Sequence, residues 1–281
     1  MKPKFETSNA LSPIYAASDR NRPELIGSAT LLDFGKARFL VTAAHVVDWT
    51  SQNSVELYTF GVKNGRNQQI AIPQQFTITP LPESGNREDD KLDFAFIRLD
   101  EATADQIAKL RFFLPFGLID ANDRATPTSR YMFTGYPLSR EKTDYGQRKV
   151  IPKGYSLTEI TVAPARMMNH GFHTDTHIAV NFDPNAVQDE HGQRRSFPCA
   201  KGISGGPVWR GDGASDDWLV KTPVRLVGIG IEDRVRDSMM VAVRIHLITA
   251  AIGDRHPDLR DLAPRRAGFS YSITWAEPHR R

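Results

Sequence analysis

The hexapeptide Gly202-Ile203-Ser204-Gly205-Gly206-Pro207 is the part of this 281-residue chain best suited to chemistry. A serine hydroxyl is a weak nucleophile until a neighbouring base takes its proton. Glycine at 202 lets the backbone turn so that the amides of Gly202 and Ser204 can face one point. Two such amides would stabilise a developing oxyanion by roughly 3 kcal/mol per donor. Glycines at 205 and 206 allow a facing wall to approach the serine closely. With Gly and Ser each at ~7% and Pro at ~5%, a chance match to Gly-x-Ser-Gly-Gly-Pro is roughly 10⁻⁶ per position, a few in ten thousand over the chain.

A base is supplied by Phe39-Leu40-Val41-Thr42-Ala43-Ala44-His45-Val46, an apolar strand that delivers His45 at its end. Taken alone, such a histidine is more often structural than catalytic. The acid that must orient it has to be buried. Asp93 leads the apolar run 92–99 and fits; Asp48, Asp89 and Asp90 are rivals in more polar surroundings. His45 precedes Asp93 by 48 residues, and Asp93 precedes Ser204 by 111.

These segments resemble the trypsin-like, chymotrypsin-fold serine proteases. Thr42-Ala43-Ala44-His45 is similar to the family's histidine motif, 202–207 to its serine motif and 92–99 to its aspartate strand. The order His, Asp, Ser is also the family's. The resemblance spans about residues 27–252. It implies a serine endopeptidase acting on a protein or peptide through His45, Asp93 and Ser204, with Gly202 and Ser204 forming the oxyanion hole and no cofactor or metal. It also implies a specificity pocket built from Pro198, six residues before the serine, and a wall including Gly228, Ile229, Gly230 and Glu232, with Asp233 beyond.

The chain departs from the digestive members of that family at Ile203, where they carry an aspartate that pairs with a newly made N-terminal amine. An isoleucine cannot make that ion pair, so the expectation is an enzyme restrained by narrow specificity or by a regulatory protein partner. By analogy of architecture it resembles prokaryotic stand-alone members, including those in regulatory or defence gene clusters. Pro198 lacks the acid that selects lysine or arginine, and Cys199 reads as a small buried residue.

Two other readings compete. Gly202-x-Ser204-x-Gly206 also satisfies the nucleophile elbow of α/β-hydrolases, but that fold needs its acid and histidine after the serine, and only 77 residues follow Ser204. A chymotrypsin-fold protein that binds peptides without cleaving them is the second, and the filled triad positions argue against it.

Composition is that of an ordinary globular protein, 40% apolar and 25% charged. A net charge of +3 without a concentrated basic face gives no reason to expect nucleic acid. No apolar run approaches the ~18 residues of a membrane span. Residues 1–10 do not read as a secretory signal, and the single cysteine, Cys199, excludes an internal disulfide. A reducing compartment, the cytoplasm of a prokaryote, is the expectation. His170, His173 and His177 cluster without a familiar zinc spacing.

The elements around these residues are mostly strands. The expectation is an all-β fold of two antiparallel β-barrels with a short C-terminal helix, strands falling at 28–33, 37–42, 54–62, 69–78, 92–99, 130–134, 157–163, 177–182, 207–209, 226–231 and 239–243. Helices are expected at 100–110 and at 245–252, the second capped by Gly253. The N-terminal barrel is placed at about 20–114, a linker at 115–128, the second barrel and helix at 129–253, and a tail at 254–281. Residues 183–195 read as a polar loop.

Overall fold

The computed structural model describes residues 7–17, 23–53, 55–63, 66–73, 75–124, 129–140, 142–144, 149–151, 153–185, 187–188, 194–197, 199–211, 224–268, 273 and 275. The first half is built from β1 (Leu11–Ala17), β2 (Pro23–Asp33), β3 (Arg38–Ala43), β4 (Leu57–Lys63), β5 (Arg66–Ile72), β6 (Thr77–Ile78), β7 (Phe94–Arg98) and β8 (Leu114–Pro115). They form one sheet in the order β5-β4-β1-β2-β3-β7-β6, antiparallel throughout, with β8 added parallel to β2. Helix α1 (Ala44–Asn53) follows β3 directly, and α2 (Glu101–Ala108) follows β7. Asp100 caps α2, its carboxylate accepting from the Thr103 amide at 2.8 Å.

The second half contains β9 (Arg130–Gly135), a two-stranded ribbon β10 (Lys142–Asp144) and β11 (Lys149–Ile151), then β12 (Tyr155–Ile160), α3 (Pro164–Asn169), β13 (His177–Asn181), β14 (Val187–Gln188), β15 (Arg194–Arg195), β16 (Pro207–Gly211), β17 (Arg225–Arg234), β18 (Met239–Arg244) and α4 (Ile245–Arg255). Its sheet runs β13-β18-β17-β16-β9-β12-β14-β15, again antiparallel. A bridge between Thr161 and Val180 joins the end of β12 to β13, closing six strands into a barrel with no free edge between them.

Each half has its own apolar core. Leu31, Leu40, Val47, Ile97 and Ile107 fill the first; Phe133, Leu157, Ile178, Val208 and Val227 fill the second. A third cluster lies between them, where Phe39, Phe94 and Phe96 meet Trp209, Ile229, Val243 and Ile248 of α4. The barrels therefore share an apolar seam, and the outward faces of β3 and β7 are buried as fully as the inward ones.

Three expectations are corrected. The first sheet begins at Leu11, not near residue 20: β1 is buried on both faces, and Ser12, which interrupts its apolar pattern, is satisfied by Thr59 (2.7 Å between hydroxyls). The residues after His45 are helical rather than a strand end. Gly253 is an interior residue of α4, which runs on to Arg255; Gly253 lies where a Cβ would crowd Arg265 and Ala263. The C-terminal segment packs along its own body: Leu259 and Ala263 are buried, and Trp275 sits edge-on to Phe94 and Phe96 under Arg255.

Candidate active site

Register brings the histidine and the aspartate together. Pairing of Ala43 with Phe94 across β3 and β7 places residue 93 beside residues 44 and 45. The Ala44 amide then donates to the Asp93 carbonyl at 3.0 Å. The Asp93 carboxylate takes two bonds from one residue: the backbone amide of His45 reaches Oδ1 at 2.9 Å, and the ring Nδ1 lies 2.6 Å from Oδ2. These contacts hold Asp93 in the left-handed region, φ +37°, which a non-glycine residue occupies only when its surroundings impose it. The carboxylate is 8% exposed and the imidazole 42%, so the acid is covered and the ring faces the cleft.

Burial pulls the His45 imidazole toward its neutral form, but the hydrogen bond and charge of Asp93 outweigh it, and the pKa lies above the usual 6.5. Burial, with a smaller push from the charge of Asp90, outweighs the bonds to His45 and raises the Asp93 pKa above its usual value. Asp93 accepts twice at the start of α1, where the helix dipole favours an anion, so the ionised carboxylate with a raised His45 is the consistent pair. Of the rival acids, Asp89 is exposed and the other two are engaged elsewhere. Arg87 holds Asp48 at 2.5 Å and Asp90 at 2.6 Å.

Ser204 comes from the second barrel, on a turn shaped by glycines. Gly202 and Gly205 have φ of +94° and +89°. A Cβ at Gly205 would lie 1.9 Å from the Ser28 carbonyl, and one at Gly206 1.9 Å from that of Thr134. Small polar residues of the first barrel grip this turn. Ser28 donates from its hydroxyl to the Gly202 carbonyl (2.7 Å) and from its amide to the Ser204 carbonyl (2.9 Å), while its hydroxyl accepts from the Tyr136 amide (2.9 Å). Thr30 donates to the Gly205 carbonyl (3.0 Å), and Thr42 to the Ser28 carbonyl (2.7 Å). Among the described residues, the amides of Gly202 and Ser204 have no hydrogen-bond partner. Ile203 is 2% exposed and packs in the core of the second barrel, its amide bonded to the Ala200 carbonyl at 3.0 Å. Burial of an isoleucine, worth about 1.5–3 kcal/mol, thus anchors the turn where an ion pair is impossible.

Direct hydrogen bonding between Ser204 and His45, which the triad expectation requires, is absent here. The Ser204 hydroxyl instead donates to the Ile231 carbonyl at 3.4 Å, the long limit of such a bond. A bulge explains why that carbonyl is free: β17 and β18 slip register between Gly230 and Glu232, leaving Ile231 without a partner residue. Beside Ser204 lies a cavity of about 10 Å³, lined by Ala200, Ile203, Gly230, Ile231, Glu232, Asp233 and Met240. That is room for about one water. Of the expected pocket residues, Gly230 and Glu232 line it. Gly228 is packed against the Val243 carbonyl, and Ile229 belongs to the seam between the barrels, so neither does. Pro198 lies outside the described residues. Cys199 is exposed rather than buried.

The three histidines of the 170–177 segment have separate roles. His170 faces Asp237 at 3.5 Å and His173 is exposed. His177 is buried; its Nε2 donates to the Lys91 carbonyl (2.7 Å), and burial lowers its pKa to about 4.

Two antiparallel sheets sharing a seam, with a helix closing the chain, define the chymotrypsin fold. The solved structures agree. The chain is similar to neuropsin, a serine protease expressed in the limbic system of mouse brain, with a TM-score of 0.53 and 16% identity, over 90% of this chain and 96% of that one. No protein-family model matches the chain, and no curated protein matches it in sequence. Among the described residues, no helix is long and apolar enough to cross a membrane.

Proposed function

We propose that the chain is a serine endopeptidase of the trypsin-like type. In this reading His45 Nε2 takes the proton of Ser204 as Oγ attacks the scissile carbonyl carbon. The oxyanion of the tetrahedral intermediate faces the amides of Gly202 and Ser204. His45 returns the proton to the leaving amine, the C–N bond breaks, and a Ser204 ester remains. Water, deprotonated in turn by His45, attacks the ester carbonyl; the C–Oγ bond breaks, His45 gives the proton back to Ser204 Oγ, and the acid is released. Asp93 keeps the Nδ1–H tautomer and does not itself take the proton. The observation that carries the reading is the two-point grip of Asp93 on His45, at 2.6 and 2.9 Å, beside the seam where the Ser204 turn docks on Ser28.

A fluorophosphonate probe tests it. Wild type should be labelled at Ser204, and Ser204→Ala should lose labelling and peptide cleavage, with kcat falling by of order 10⁴ or more. Undiminished labelling of Ser204→Ala, or none of the folded wild type, would sink the reading.

The second reading, a peptide-binding protein without catalysis, is favoured by one observation: Ser204 is bonded to Ile231 and not to His45. The same observation, together with the small size of the cavity beside Ser204, supports an enzyme of restricted specificity. Its substrate or a regulatory protein would open the cleft by shifting a population. The lone Cys199 supports a reducing compartment, with the cytoplasm of a prokaryote and a regulatory or defence role as the matching setting.

A further inference from the structure

A larger cavity, about 420 Å³, lies against the second barrel and shares no lining residue with the one beside Ser204. That volume is in the range of small-molecule sites. Val162, Met167 and Ile178 give it an apolar wall, and Arg124, Arg244 and Arg266 give it charge, against Asp123 and Asp175. The positive excess is real. Asp175 is paired with Arg266 at 2.9 Å. Asp123 is shared between Arg244 and Arg210 and also accepts from the Tyr131 hydroxyl at 3.1 Å. Arg124 has no ion pair among the described residues. His177 in the wall adds no charge at neutral pH, because its pKa is about 4.

Arg244 is the central group. Its side chain is only 7% exposed. Nε donates to the Thr174 carbonyl at 2.6 Å, and Nη1 donates to Asp123 at 2.6 Å. Nη2 has no hydrogen-bond partner among the described residues. A guanidinium edge held rigid by its other nitrogens, with an arginine beside it and an apolar wall, is suited to a planar carboxylate on an apolar group.

We propose that this cavity is a second binding site, one that takes a small carboxylate carried on an apolar group, either a free apolar acid or the C-terminal residue of a peptide. The proposal does not depend on the chemistry of Ser204, since binding is read without turnover.

Calorimetric titration of the full chain with N-acetyl-leucine and N-acetyl-leucinamide tests it. The acid should bind saturably and the amide at least about tenfold more weakly, the loss expected when a charge-assisted pair is removed. Arg244→Lys, which keeps the charge but loses the fork, should weaken the acid by a similar factor, as should Arg124→Ala. A thermal melt accompanies each variant. If Arg244→Lys does not fold, Arg124→Ala, on an exposed side chain, decides. A short peptide ending in a free leucine carboxylate, compared with its amidated form, separates the two sources: tight binding of the peptide points to a chain terminus, binding of N-acetyl-leucine alone to a free acid. Equal binding of acid and amide, no saturable binding of either, or unchanged acid affinity in folded Arg124→Ala would overturn the proposal.

Discussion

Ser28→Ala is the most informative single substitution. The Ser28 hydroxyl lies on β2 of the first barrel, is fully buried, and serves two partners at once: the Gly202 carbonyl at 2.7 Å and the Tyr136 amide at 2.9 Å. Alanine keeps the Cβ and removes both bonds. It leaves a buried donor and a buried acceptor unpaired, at about 1–3 kcal/mol each, so a loss of roughly 2–5 kcal/mol is expected. Thr30→Val, which strips one bond to the Gly205 carbonyl, should cost about half as much. The effect should also reach the chemistry, because Gly202 carries one of the two free amides. Displacing one oxyanion donor costs about 10²–10³ in rate. Urea denaturation gives the first quantity and the second-order rate of fluorophosphonate labelling gives the second. A variant within about 0.5 kcal/mol of wild type would show that the seam does not hold the turn. Lost stability with an unchanged labelling rate would show that Gly202 is held by other means.

Asp93→Asn should fold but label of order 10⁴ more slowly, because the amide favours the wrong imidazole tautomer. The wild-type rate should rise with pH through a His45 pKa above 6.5, since the neutral ring is the base; a limb at or below 6.5 in a pH–rate profile would contradict the raised value. Stability should fall as pH drops from 6.5 toward 4. The buried His177 has a folded pKa of about 4, so the unfolded chain binds more protons in that window, by up to ~3 kcal/mol. His177→Gln should flatten that slope in urea titrations, and a slope identical to wild type would exclude His177 as its source. Asp233 lines the cavity beside Ser204 and makes no ion pair among the described residues. Asp233→Asn should therefore lower kcat/KM for peptides with lysine or arginine at the cleavage site and spare neutral ones. Equal loss for both would assign it no part in selection.

How much could be read from residue types depended on whether a residue's role is local. Gly202, Gly205 and Gly206 are legible because backbone conformation and close approach demand glycine whatever lies around them. The strand β7 is legible because four of its five residues are buried and apolar. Strand β1 is not, because Ser12 and Pro13 break the apolar pattern and only the distant Thr59 satisfies Ser12. The helical setting of His45 escapes notice because α1 follows β3 without an intervening turn, and the residue that bonds its first amides, Asp93, is 48 positions away. Ser28, Thr30 and Thr42 do leave a signal: polar side chains inside otherwise apolar strands must find partners. Their partners are 174 and 175 residues away for Ser28 and Thr30, so the sequence reveals the need and not its satisfaction. Gly228 and Ile229 lie outside the cavity beside Ser204 for another reason. The bulge at Ile231 shifts the lining toward residues 230–233, and a one-residue insertion in register is invisible to period-2 counting.

Under the proposed reading as a protease of restricted specificity, the restraint lies at the cavity beside Ser204. The bond from Ser204 to Ile231, at 3.4 Å, is worth no more than about 1 kcal/mol, so freeing the hydroxyl costs little. The turn itself is anchored by Ile203 in the core and by Ser28 across the seam, with both of its free amides already unpaired. Neither feature calls for the removal of a propeptide. The obstacle is the cavity. At about 10 Å³ it holds about one water. Its walls differ in what they could yield. Ile203, Gly230 and Met240 are buried in packed strands or core, where enlargement would forfeit dispersion contacts. Ile231, Glu232 and Asp233 lie at and beyond the bulge, where Ile231 lacks a ladder partner and the two acids are only partly buried. Opening therefore has its lowest cost on the β17 side, at the segment an extended substrate would lie against. Recognition and unlocking would then be the same event, which is how a protein with an unguarded nucleophile can remain selective.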